Sequence, residues 1–210
     1  MKFILMLLVT TIVFANSYPT FSNKELQKIQ QNSGTIACNR IEDYLQTMKK
    51  FKHLPKRIQL TKVNTYLNQL LPQVDTLNQK CTDYWETPKE FLEIGYGDCE
   101  DYVIIKYFTL IKLGFAKNRL FFTTVREKHS GQYHMVLSYF EDFHKQPLVL
   151  DNLSFRILDL RKRDDLKVDR FINHQGVFKL DEQNKLYWVS RTHKKFDILL
   201  ARINKEKRLF

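Results

Sequence analysis

Cys99 is the residue best placed in this sequence for covalent chemistry. It follows the glycine-containing stretch Gly95–Asp98 and opens a segment without Gly or Pro that continues to Gly114. Such a segment predicts a buried helix, from about Cys99 to Leu113, that ends at a glycine. The thiol would then lie in the first helical turn, where unpaired N–H groups and the helix dipole favour a thiolate.

A nucleophilic cysteine needs a base, and the base needs a group that orients it. His134 lies within an apolar strand pattern, and Asp151 directly follows the apolar run Leu148–Leu150. Antiparallel neighbouring strands can bring these two side chains together. Each residue also has an ordinary explanation: inert packing for a buried cysteine, a hydrogen-bonded core histidine, and a turn begun by Asp151. Together, in the order Cys, His, Asp, they indicate a papain-like catalytic set.

The elements that would position these residues are helical first and extended afterwards, which predicts an α+β domain. Ser22 and Thr87 each begin a capping-box pattern, with Glu25 and Glu90 as the reciprocal residues. In chain order, helices are predicted to begin after Ser22, to span Ile36–Phe51 and Arg57–Leu71, and to begin after Thr87. Strands are predicted at Leu120–Val125, Tyr133–Phe140, Pro147–Asp151, Gly176–Leu180 and Lys185–Val189.

The N-terminus has the pattern of an export signal. Met1–Ala15 has one positive charge, then an apolar run too short to span a bilayer, then small residues suited to cleavage. We therefore expect a signal peptide at residues 1–15 and a single domain at residues 16–210, with a retained N-terminal anchor as the alternative.

The sequence is basic, with a formal net charge of +11. Loss of Lys2 with the signal lowers this from +11 to +10. A basic surface suits acidic partners, but export and the absence of helix-turn-helix, zinc-finger or RNP patterns argue against nucleic acid. Apart from Arg161–Arg163 and the C-terminal tail, the basic residues are dispersed and indicate a solvated surface.

Three cysteines occur in the chain: Cys38, Cys81 and Cys99. In an oxidising compartment an odd number leaves a free thiol or an intermolecular bridge. One consistent arrangement pairs Cys38 with Cys81 and leaves Cys99 free. Two buried, unpaired structural thiols are an equally good interpretation.

One long motif carries a family resemblance. The segment Trp85-x-Thr-Pro-x-Glu-Phe-Leu-x-x-Gly-x-Gly-Asp-Cys-Glu-Asp-Tyr102, followed by Lys106-Tyr107 and the ending Leu113-Gly114, closely resembles the bacterial transglutaminase-like cysteine proteinases, the LapG family. His134 and Asp151 match that family's remaining catalytic positions, and the similarity covers about residues 80 to 155. The resemblance implies a papain-like or transglutaminase-like α+β fold, with the cysteine-bearing helix packed on an antiparallel sheet.

The resemblance also implies a function: a periplasmic, calcium-dependent cysteine endopeptidase. Members of the family cut a large surface adhesin near its N-terminus, at a pair of alanines, and so release it in the control of biofilm. An inner-membrane receptor for cyclic-di-GMP sequesters them. By this resemblance Cys99 is the nucleophile, His134 the general base and then acid, and Asp151 the orienting residue.

The same resemblance places calcium ligands at the acids beside the nucleophile, Asp98 and Glu100, with Asp101 as a further contributor. Three carboxylates around a cysteine would raise the pKa of its thiol, and a bound Ca²⁺ would offset their charge. Asp98 and Asp101 could also simply cap the helix, and capping is compatible with coordination.

Two other functions remain open from the sequence. Transglutaminases share this catalytic set, so acyl transfer to an amine is one alternative, and a non-catalytic exported binding module is the other. The oxyanion of a tetrahedral intermediate would be held by the Cys99 backbone N–H and a second donor, for which Gln79 and Trp85 are candidates.

Overall fold

The computed structural model describes residues 18–72 and 84–208, which form an α+β arrangement. The helices are α1 (Asn23–Phe51), α2 (Lys56–Leu67), α3 (Pro88–Ile94), α4 (Cys99–Lys112) and α5 (Lys194–Arg208). The strands are β1 (Leu71–Pro72), β2 (Tyr96–Gly97), β3 (Leu120–Glu127), β4 (Tyr133–Tyr139), β5 (Leu148–Asp151), β6 (Ser154–Asp159), β7 (Leu166–Asn173), β8 (Gly176–Leu180) and β9 (Leu186–Ser190).

Seven of these strands form one antiparallel sheet in the order β6-β5-β4-β3-β7-β8-β9. The two short strands β1 and β2 pair with each other in parallel, directly before α4. The predicted α+β class, with helices followed by an antiparallel sheet, is confirmed.

The predicted capping boxes are present at Ser22 and Thr87, and Asp98 forms a third one at the start of α4. The helix predicted after Ser22 and the helix predicted at Ile36–Phe51 form one helical segment, α1, which is interrupted at Gly34, where φ is 80°. The prediction that α2 extends to Leu71 was wrong. Its C-cap is Asn68, and Leu71 instead belongs to β1, where it pairs with Tyr96 of β2.

Helix α4 is the centre of the core. Its residues from Asp101 to Leu110 are buried, as the absence of a polar face in the sequence predicts. It packs on the sheet face that carries Phe122, Leu137 and Leu150. The opposite sheet face has its own aromatic cluster, which includes Phe121. Because α4 is held on all sides, its N-terminal residue Cys99 has a fixed position relative to the strands.

Three sequence predictions fall outside the described residues: the signal at residues 1–15, Cys81, and Gln79 as an oxyanion donor. Cys38 carries a free thiol that donates a hydrogen bond to the Leu26 carbonyl at 3.4 Å. Among residues 18–72 and 84–208, no helix has the length and apolarity needed to cross a membrane.

Gly95 is the C-cap of α3 and leads into the turn before Cys99, and we expect its replacement to destabilise the fold. Its φ is +88°, and an added Cβ would overlap the Arg40 guanidinium, which donates to the carbonyls of Leu92 and Glu93 at 2.9 Å. Gly131 has φ +69° with no neighbouring atom within 4 Å of its added Cβ, so Gly131→Ala isolates the cost of positive φ.

In urea denaturation, Gly131→Ala should lower the free energy of unfolding by about 1 kcal/mol. Gly95→Ala should lower it by about 2 kcal/mol or more, because the Arg40 hydrogen bonds are also disturbed. Equal losses in the two variants would contradict this account of the α3 terminus.

Candidate active site

Cys99 is the first residue of α4, and the acids around it form the helix cap. Asp98 is the N-cap, and its Oδ1 accepts the N–H groups of Glu100 and Asp101 at 3.0 and 3.3 Å. In return, Asp101 Oδ2 accepts the Asp98 N–H at 3.2 Å. The reciprocal cap fixes the first turn, and with it the position of the sulfur.

The thiol of Cys99 donates a hydrogen bond to Glu100 Oε2 at 2.8 Å. Burial raises the pKa of Cys99 well above its ordinary value, and the charge and hydrogen bond of Glu100 raise it further. A hydrogen bond from the Met135 backbone acts in the opposite direction but does not reverse the shift. The sulfur is therefore a protonated thiol in this arrangement, and a nucleophilic reaction requires a base to remove the proton.

The sulfur lies against strand β4, where its contact is with the backbone of Met135. The hydrogen-bonded register between β4 and β5 runs from Tyr139–Leu148 to Leu137–Leu150, so Met135 lies beyond the end of that pairing. Here the Met135 backbone hydrogen-bonds to the Cys99 sulfur. The N-terminus of α4 thus reaches the strand at the residue that follows His134.

His134 and Asp151 form a buried pair across neighbouring strands, as the sequence predicted. His134 Nε2 lies 2.9 Å from Asp151 Oδ1, and the two side chains are 8% and 1% exposed. The same oxygen accepts the Leu153 N–H at 2.9 Å, and Arg163 Nη2 donates to Oδ2 at 2.8 Å. Burial opposes ionisation, but hydrogen bonds from His134, Leu153 and Arg163 hold the pKa of Asp151 below its usual range. The carboxylate can therefore orient the imidazole through Nε2, which leaves Nδ1 for a second partner.

Arg163 was not predicted as part of the site. The sequence places it in the basic run Arg161–Arg163, a cluster apart from the dispersed basic residues, and its side chain is only 11% exposed. It also binds Asp165, two residues further on, at 2.8 Å. The spacing of Arg163 and Asp165 suggests a local ion pair, but it gives no sign that Arg163 also contacts Asp151, which is 12 residues away.

The predicted calcium ligands are oxygen donors, and their charges crowd one another. Burial raises the pKa of Asp101 to about 9, and the negative charges of Asp98 and Glu86 add to the shift. Such an accumulation of carboxylates suits a hard cation. Within the described ranges, no group of three or more acidic, histidine or cysteine side chains is arranged to hold a metal ion. The donor chemistry fits calcium, and the ligand set Asp98, Glu100 and Asp101 stays a prediction.

Trp85, a candidate second oxyanion donor, packs in the core. Its ring lies 5.7 Å from that of Phe122 and stacks on His193 at 5.8 Å, and its Nε1 is buried without a hydrogen-bond partner in the described part of the chain. The other candidate, Gln79, lies outside the described residues. The second donor is therefore not assigned.

The model of one protein family, the bacterial transglutaminase-like cysteine proteinases, matches residues 32–191. The chain belongs to this family. Among solved structures, it is similar to calcium-bound LapG of Legionella pneumophila, with 34% identity, a TM-score of 0.73, and coverage of 85% of this chain and 98% of that one. EGTA-treated LapG of the same organism gives 34% identity, a TM-score of 0.72, and coverage of 84% and 96%. No significant match was found among curated proteins.

Family membership gives the fold its class and the site its chemistry. The α+β arrangement is the transglutaminase-like cysteine protease fold, as predicted from the sequence motif. The conclusion that the chain is a cysteine proteinase of the LapG type rests on the match of nearly the whole domain.

The Arg163–Asp151 contact gives a test of how the buried carboxylate is held. Arg163→Met should lower the free energy of unfolding by about 2 to 3 kcal/mol, because it leaves a buried charge with one partner fewer. Arg161→Met is a matched control, since Arg161 pairs with Asp159 but is 74% exposed. The control should change stability by no more than the error of urea denaturation. Equal effects of the two variants would show that Arg163 does not support Asp151.

Proposed function

We propose that this protein is a periplasmic, calcium-dependent cysteine endopeptidase that cleaves a large surface adhesin near its N-terminus, at a pair of alanines. Cys99 is the nucleophile, His134 the general base and then acid, and Asp151 the orienting carboxylate. The proposal rests on one observation. The sulfur at the start of α4 is hydrogen-bonded to the backbone of Met135, the residue that directly follows His134 of the buried His134–Asp151 pair.

The chemistry follows from the protonated thiol. His134 takes the proton of Cys99, and the thiolate attacks the carbonyl carbon of the scissile peptide bond. The backbone N–H of Cys99 stabilises the oxyanion of the tetrahedral intermediate. His134 then protonates the departing amine, which leaves an acyl-enzyme, and water attacks this thioester to release the acid and restore the thiol. Asp151 stays ionised throughout and stabilises the imidazolium.

Calcium would be held by the carboxylates of Asp98, Glu100 and Asp101. Bound there, it would supply positive charge that offsets the carboxylates now raising the pKa of Cys99. The calcium-bound form of the Legionella LapG structure supports the choice of metal.

The proposed partners and location follow from the family resemblance. The substrate is an exported adhesin, and the regulator is an inner-membrane receptor that responds to cyclic-di-GMP and sequesters the protease. Both require a periplasmic location, which agrees with the predicted signal at residues 1–15. The net charge of +11 favours partners with acidic surfaces.

Cys99→Ala should abolish cleavage of an N-terminal adhesin fragment from the same genome that contains an alanine pair. We expect a loss of at least about a thousandfold, because no other group supplies the nucleophile. Cys38→Ala, which changes a buried thiol bonded to Leu26, should cleave like the wild type. Electrophoresis and mass spectrometry of the products give the rate and the cleaved bond.

Two outcomes would contradict the proposal. Cleavage by Cys99→Ala at the wild-type rate would remove Cys99 as the nucleophile. Incorporation of a labelled amine without any hydrolysis would favour acyl transfer instead.

Calcium should raise the melting temperature of the inactive Cys99→Ala protein, and excess EGTA should reverse the shift, because a cation that binds only the folded state stabilises it. The double variant Asp98→Asn, Glu100→Gln should lose the shift. Asparagine still caps a helix, so the fold should be kept. Asp164→Asn, at an exposed acid, is the control and should keep the shift. A calcium shift that survives in the double variant would place the metal elsewhere.

A further inference from the structure

Lys106 is a buried base that the proposed chemistry does not use. It lies on α4, seven residues after Cys99 and so two turns further along the same helix face. Its side chain is fully buried, at 0% exposure, and its Nζ has no hydrogen-bond partner in the described part of the chain. A lysine in such a place destabilises a fold compared with an apolar residue of the same volume. A cost of this kind is typical of functional positions.

A charge of the candidate site acts on this amino group. Burial lowers the pKa of Lys106 to about 7, and the charge of Asp151 acts against that shift. Its other close neighbour is an aromatic ring on the same helix: Nζ lies 5.7 Å from the centroid of Tyr102. Lys106 thus interacts electrostatically with Asp151 from α4. His134 and Arg163 contact the same carboxylate directly.

Two buried amides, one on α2 and one at its C-cap, lie near the end of β5 that carries Asp151. Asn68 Nδ2 donates to the Asp151 carbonyl at 2.7 Å, and Asn64 Nδ2 donates to the Ser154 carbonyl at 2.8 Å. Their Oδ1 atoms are both buried without a hydrogen-bond partner in the described ranges. Helix α2 packs against α4, which carries Lys106, and against β5 and β6, the first of which carries Asp151.

The unsatisfied groups are complementary. An amino group supplies hydrogen-bond donors, and the two amide oxygens need them. Buried groups of this kind are normally satisfied, either directly or through an enclosed water molecule.

We propose that Lys106 is a positioning residue that joins the nucleophile's helix to the end of β5 that carries Asp151. Its amino group completes a buried polar network with Asn64 and Asn68 through an enclosed water molecule. In this way it fixes the distance between Cys99 at the start of α4 and the Asp151–His134 pair. The inference rests on the proposed function, because it assigns Lys106 a role in setting the geometry of those three residues.

The test compares Lys106→Met, Lys106→Gln and Lys62→Met in the full chain, in one calcium-containing buffer. Methionine keeps the length of the side chain without the amino group, and glutamine keeps a donor. Lys62 is exposed on α2, so Lys62→Met is a matched control for the chemical change. Two readouts are measured: the iodoacetamide alkylation rate at Cys99, followed by mass spectrometry, and the steady-state cleavage of the adhesin fragment.

Lys106→Met should alkylate at Cys99 about tenfold more slowly, and its kcat should fall by a similar factor while KM stays within about twofold. Its melting temperature should stay close to that of the wild type, because the cost of burying the amino group is removed together with its hydrogen bonds. Lys106→Gln should recover part of both rates, and Lys62→Met should match the wild type.

A folded Lys106→Met protein with wild-type rates at Cys99 would overturn the inference. If Lys106→Met unfolds, Lys106→Gln decides: wild-type rates support a donor at this position, and rates no higher than those of a folded Asp151→Asn variant overturn it. Failure of the proposed function would look different, because the wild type itself would not cleave the fragment while the alkylation comparison would still report on Lys106.

Discussion

The site depends on a buried carboxylate. Asp151 is 1% exposed, and a charge in that position persists only if donors surround it. They come from different parts of the chain: His134 on β4, Arg163 after β6, and the Leu153 N–H in the turn after β5. Because these partners fix Asp151, they also fix the imidazole, and the remaining geometry of the site is set by how α4 packs against β4.

The carboxylates beside Cys99 stabilise the first turn of α4, but they also disfavour ionisation of the thiol. Asp98 and Asp101 build a reciprocal cap that holds the first turn of α4, while Glu100 accepts the proton of the thiol. The same negative charges oppose formation of a thiolate. A positive charge placed beside these carboxylates would favour the thiolate.

The residues of the candidate site were easier to predict from the sequence than the complete fold. Cys99, His134 and Asp151 could be found because each has a strong local signal: a helix start after glycines, an imidazole in an apolar strand, and an acid at a strand end. The helix caps at Ser22 and Thr87 could be predicted equally well, because a capping box depends on two residues that are only three positions apart. The contact between His134 and Asp151 could be predicted because the two residues lie on consecutive strands that pair in an antiparallel way.

What sequence patterns missed depends on contacts across the fold. Strands β6 and β7 were not predicted, because charged residues such as Arg156, Lys167 and Asp169 interrupt their apolar positions. The end of α2 is set by the pairing of Leu71 with β2, a partner 25 positions away. Arg163 and Lys106 acquire their environments only when Asp151 is brought beside them.

The most direct measurement is the distance between Cys99 Sγ and His134 Nδ1 in a high-resolution crystal structure of the calcium-loaded protein. The account predicts that the two atoms lie within about 4 Å, close enough for the proton to pass between them. A separation well beyond that reach, with His134 still bound to Asp151, would contradict the central claim that the imidazole activates this sulfur.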